Sequence, residues 1–180
     1  MMRAALLLTC LGAMTASHAQ AATVQPITLV PGFGKVSPVE GAANRPDPAL
    51  RYRVVFSVKK AADAASSTSP SLEKIARFLN LLGSSGIRPK RSDIVVIVHG
   101  AATSLVLGDS AYRDRYGIDN PNRPLIEALR HAGVTIHVCG QALASQHIPQ
   151  AAVSPEVVTD LSAMTTIATL QLRGWVLIPE

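Results

Sequence analysis

From Tyr52 onward the chain alternates short β-branched apolar runs with stretches in which apolar residues recur every three or four positions. Arg53-Val-Val-Phe-Ser-Val58 reads as a first strand and Asp93-Ile-Val-Val-Ile-Val98 as the clearest one. The second run is apolar on both faces, so it is expected to be central and covered by helices above and below. Val134 to Val138 is a third strand, Pro155 to Asp160 a weaker fourth, and Trp175 to Ile178 the last. Between the first two, Ser69-Pro70 fits an N-cap followed by proline at the first helical position, with Glu73 in the first turn. Leu72, Ile75, Ala76, Leu79 and Leu82 then keep helical spacing up to Gly83 or Gly86. Helical turns are expected over Ala101 to Leu107 and Ser110 to Tyr116, with Gly117 as a stop. Asn120-Pro121 is expected to open the next helix, which Gly133 ends. A short helix is expected from Gly140 to His147, and Ser162 caps a final one through Leu172. This alternation, with short connections, predicts an α/β fold: a mostly parallel sheet sandwiched by helices and joined by right-handed crossovers.

Two segments precede that domain. Residues 1–19 read as a cleavable signal peptide: Arg3 supplies the positive charge, Ala4 to Ala16 the apolar run, and Ser17-His18-Ala19 small residues at −3 and −1. The run is too short to span a bilayer, so no membrane span is expected in the mature chain, which would be periplasmic or secreted. Residues 20–51 are punctuated by prolines and by Gly32, Gly34 and Gly41, too densely for regular structure. Apolar pieces such as Ile27-Thr-Leu-Val30 favour an extended arm lying on the domain or on a neighbouring subunit. Residues 52–180 then form the domain.

Composition narrows the classes. Hydrophobic residues make up 48% of the chain and aromatics only 4%, so the core is aliphatic, as in sheets flanked by helices. The formal charge of +5 is scattered, without a basic stripe or aromatic platform, and nucleic-acid binding is not expected.

With Cys10 inside the leader, Cys139 is the mature chain's one cysteine. An unpaired cysteine in an oxidising compartment is intermolecular, reactive or buried and inert. Its place at a strand-to-helix junction would set the sulfur beside unpaired N–H groups and a helix N-terminus, which favour thiolate. Gly140 removes a Cβ beside the sulfur, and Gln141 offers an amide to a bound species. This arrangement suits sulfur transfer through a persulfide, or redox sensing. His99 closes the central strand and is well placed for a supporting role, or for a structural hydrogen bond. His137 points to the same side of its strand as Cys139; its favoured reading is a histidine under the flanking helix, satisfied by a backbone carbonyl. His131 reads as solvated and His147 as a helix-end cation. The N–H groups at the Ser162-Ala-Met-Thr-Thr166 helix start are able to receive an anion. The absence of C-x-x-C excludes internal disulfide exchange, and no oxyanion hole or orienting third group for a hydrolase is evident. No redox-cofactor motif or zinc spacing occurs, so neither cofactor nor metal is expected.

Several segments taken in order resemble the DsrE/DsrF-like family, in particular its secreted members. They are Arg53-Val-Val-Phe-Ser-Val58, Val98-His-Gly-Ala-Ala-Thr103, Asp119-Asn-Pro-Asn122, Ala132-Gly-Val134, Val138-Cys-Gly-Gln-Ala-Leu143 and Leu170-Gln-Leu-Arg-Gly-Trp175. The resemblance implies a three-layer α/β/α fold with a five-stranded parallel sheet, and assembly into trimers or hexamers. It implies that Cys139, at the position of the family's C-G motif, carries sulfur in exchange with a donor or acceptor protein. The expectation is a sulfur-transfer protein whose standing as an enzyme is open. Its rivals are an oligomeric module that binds a small ligand without turning it over, and a structural protein with a buried cysteine.

Overall fold

The computed structural model describes residues 26–179. The expected signal peptide lies outside them. β1 (Val54–Val58), β2 (Ile94–Val98), β3 (Thr135–Cys139), β4 (Val158–Asp160) and β5 (Val176–Ile178) form one parallel sheet in the order β4-β3-β2-β1-β5. β2 is the middle strand and all of its residues are buried, the outcome expected of a run apolar on both faces. The helices are α1 (Pro70–Ser84), α2 (Asp109–Tyr116), α3 (Arg123–His131), α4 (Gly140–Ser145) and α5 (Ala163–Leu172), with a 3₁₀ segment at Gly100–Val106.

Strand order explains which helix covers which face. From β1 to β4 the chain steps across the sheet in one direction, and right-handed crossovers keep the intervening helices on one side. There α1, α3 and the 3₁₀ segment bury the larger core, including Val54, Phe56, Ile94, Val96, Val98, Ile136 and Val138. The last connection runs back from the β4 edge to the β5 edge, so the same handedness puts α5 on the other face. That face has a small core of Val55, Val95, Ile97, Cys139 and Ala163. One layer is thick and the other is a single helix.

Three element boundaries differ from the sequence expectation by more than one residue. α3 begins at Arg123, not at Asn120, because both asparagines are engaged elsewhere. Asn120 Nδ2 donates to the carbonyls of Leu105 and Leu107 at 2.9 and 2.8 Å, while Asn122 Oδ1 accepts from Ser69 N at 2.7 Å. α4 stops at Ser145 because His147 takes a left-handed conformation, φ 55°. β4 is only three residues long, since a turn from Ser154 to Val157 occupies the preceding positions.

The arm lies on the domain. Leu29 and Val30 are buried against α1, and Asn80 binds both sides of the arm. Its Oδ1 accepts from Leu29 N (3.0 Å) and Val30 N (2.8 Å), and its Nδ2 donates to the carbonyls of Val30, Phe33 and Gly34. The approach is close enough to need glycine: a Cβ on Gly83 would stand 2.2 Å from the Ile27 carbonyl oxygen.

Candidate functional site

β3 hands the chain to α4, whose Leu143 belongs to the larger core, whereas β4 hands it to α5 on the opposite face. Neighbouring strands whose connections leave in opposite directions open a crevice at their carboxyl ends, where open α/β sheets bind ligands. Cys139 and Asp160 are register partners there. Residues alternate along the strands, so Ser57, His99, His137, Cys139 and Asp160 all belong to the α5 side. Their collection at one end of that face leaves a polar margin beside the small core.

The Cys139 sulfur does not cap α4, the helix that follows it. It accepts instead from Ala163 N at 3.3 Å, the first N–H of α5, from 24 residues further along. The helix dipole expected at the sulfur is therefore present but belongs to a different helix. Ser162 precedes α5 without making a side-chain cap. Cys139 is 6% exposed and touches the aliphatic cluster beneath α5. Among the described residues larger surface clefts lie elsewhere: under the arm around Phe33 and Asn80, and between the arm and α1 around Val39 and Leu81.

Gly140 is required by the chain itself. A Cβ there would stand 2.7 Å from the Asp160 carbonyl oxygen and 3.4 Å from that of Leu161. The partner that approaches closely is thus the β4–α5 turn, and this approach brings Ala163 N to the sulfur. Gln141 is exposed on α4, and its side chain makes no hydrogen bond among the described residues. The engaged glutamine is Gln146, which donates to the Gly100 carbonyl at 2.8 Å and meets Thr103 Oγ1 at 3.2 Å. His99 sits one position past the last β2–β3 pair, level with Cys139, with Nε2 2.9 Å from Ser57 Oγ.

His137 is not satisfied by a backbone carbonyl. Its Nδ1 lies 3.0 Å from Asp160 Oδ1, and Asp160 Oδ2 accepts from Thr166 Oγ1 at 2.8 Å. β3, β4 and α5 are tied together by this carboxylate, a group the sequence placed at a strand end without assigning it a role. Both links join residues from separate elements, so no local spacing reveals them. No group of three or more His, Cys, Asp or Glu that could hold a metal ion is gathered among the described residues.

Residues 51–179 match the model of the DsrE/DsrF-like family. The arm up to Leu50 falls outside that match. No curated protein matches the chain. Among solved structures, a protein of unknown function from Methanobacterium thermoautotrophicum aligns with a TM-score of 0.52 and 19% identity, over 72% of this chain and 99% of that one. At that identity the likeness speaks for the fold alone.

Proposed function

The chain belongs to the DsrE/DsrF-like family, and from that premise we propose that it handles sulfur, with Cys139 accepting a sulfane sulfur as a persulfide and passing it on. The observation that carries this reading is the bond from Ala163 N to Cys139 Sγ. An N–H at the head of a helix of ten residues favours negative charge on its acceptor, and the charged form of sulfur is the nucleophile. The place of Cys139 at the carboxyl ends of β3 and β4 adds support. His99 lies beside it in a supporting role, and Gln141 is presented to an incoming donor. The leader pattern of residues 1–19 supports a periplasmic or secreted protein. The exposed apolar side chains of Leu161, just before α5, and of Met164 and Leu172 on it support a homo-oligomer.

Loading the purified protein with a sulfane donor and weighing it intact tests the proposal. The expected result is a gain of one sulfur that disappears in Cys139→Ser. No gain, or a gain that survives the substitution, rejects it.

The burial of Cys139 favours a second reading, a binding or structural protein in which the thiol is packing. Slow alkylation when folded, fast alkylation when denatured, and unchanged function in Cys139→Ser would together identify that case.

A further inference from the structure

His137 has no part in the reading above, yet it has the surroundings of a proton carrier. A carboxylate only accepts, so the proton shared with Asp160 sits on Nδ1, and Nε2 is the position left for a second proton. Nε2 makes no hydrogen bond among the described residues. Asp160 is fixed in turn by Thr166 from α5, so the carboxylate that orients the ring is itself held in place. The ionisable groups facing His137 are Asp160 on β4, Cys139 on its own strand and His99 at the end of β2. α5, Ala163–Leu172, contributes none.

The spacing is informative. Two positions along one strand separate His137 from Cys139, or about 6.6 Å between their Cα atoms. No hydrogen bond joins ring and sulfur, and a proton carrier for the thiol itself would need one. Sulfur transfer has a different requirement. When Sγ attacks the outer sulfur of a persulfide R–S–SH in line, the leaving sulfur stands two S–S lengths away, about 4 Å. Its proton donor then stands about 3 Å further on. The sum is close to one side-chain repeat of the strand.

We propose that His137, oriented by Asp160, is the general acid that protonates the leaving thiolate when Cys139 takes sulfur from a low-molecular-weight alkyl persulfide. This rests on the persulfide-carrier reading of Cys139. The Cys139 thiolate bonds to the outer sulfur, the donor's S–S bond breaks with its electron pair on RS⁻, and the Nε2 proton moves to RS⁻. Thiolate, imidazolium and R–S–SH become Cys139 persulfide, neutral imidazole and R–SH, with no outside oxidant or reductant. His137 acts on a reacting atom, whereas Asp160 is a positioning residue.

The test compares two leaving groups on the full chain in single turnover, followed by intact mass. Glutathione persulfide releases a basic alkyl thiolate that needs a proton. An aromatic disulfide of the nitrobenzoate type releases a thiolate that does not. Both must reach the same covered sulfur, so the ratio of their rates cancels access. His137→Gln is expected to slow sulfur uptake from glutathione persulfide about a hundredfold, while reaction with the aromatic disulfide changes less than about twofold. Asp160→Asn is expected to show the same selective loss at smaller size, and it carries the comparison if the glutamine variant does not fold. Equal losses with both donors, or no loss with either, overturn the inference. A wild-type protein that takes no sulfur from glutathione persulfide while reacting with the aromatic disulfide rejects the carrier reading, and this inference falls with it.

Discussion

Gly140 is where a single atom would change most at the site. Its missing Cβ lets the β4–α5 turn pack against the start of α4, and that packing sets Ala163 N on the sulfur. Gly140→Ala forces a backbone carbonyl aside and is expected to cost about 1–3 kcal/mol in urea denaturation. Alkylation of Cys139 in the folded variant should accelerate as its cover loosens. A second residue-scale prediction concerns Asp93, at the start of β2. Burial pushes its carboxyl up, but the hydrogen bonds from Arg51 and from Lys90 N, with the charge of Arg51, outweigh burial and leave it below the usual value. A carboxyl with a depressed folded-state value stabilises the fold above its unfolded pKa of about 3.9. That contribution disappears as pH falls through the lower folded value. Denaturation midpoints should therefore drop on the acid side of pH 4, and Arg51→Met should flatten that part of the profile.

At the scale of elements, the arm and α5 are opposite cases. The arm has no regular structure yet is held firmly, because one buried side chain replaces the pairing that a strand would give. Asn80→Ala removes partners from the Leu29 and Val30 N–H groups and from three carbonyls. The loss is expected to be about 2–4 kcal/mol, given about 1–3 for one buried polar group left unsatisfied and some rescue by water. Hydrogen exchange should rise at amides 29 and 30 while β2 keeps its protection. α5 is a regular helix that buries little: Ala163 is its one fully buried residue, and Met164 and Leu172 are 78% and 90% exposed. The sequence marked both elements, the first by its proline and glycine spacing and the second by Ser162 and an apolar composition. It did not show that the arm docks on α1, nor that α5 covers the thiol, because both depend on residues about 25 to 50 positions apart.

For the whole molecule, the asymmetry of the two layers has a consequence. The α5 side leaves Leu161, Met164 and Leu172 open, together with Val158 on the edge strand β4. α5 carries no charged residue, so two copies can meet there without like charges facing each other in a protein of formal charge +5. The proposed homo-oligomer is expected to form through this side, so Met164→Asp or Leu172→Asp should give a monomer by analytical ultracentrifugation with an unchanged circular dichroism spectrum. An oligomer that survives both substitutions would place the interface elsewhere.

The order of strands and helices was written in the sequence, because apolar period is a local property: two for strands, three to four for helices. The same local signals put β2 at the centre and Cys139 at a strand end. The tertiary structure decided what surrounds that sulfur. The return of the chain from β4 to β5 carries α5 across the second face, and handedness leaves it no other side. That crossing brings the Ala163 N–H to Cys139 and Thr166 to the Asp160 that holds His137. His99 and His137 look alike in the sequence, one residue type at two neighbouring strands. Only packing distinguishes them, pairing the first with a serine and the second with a carboxylate.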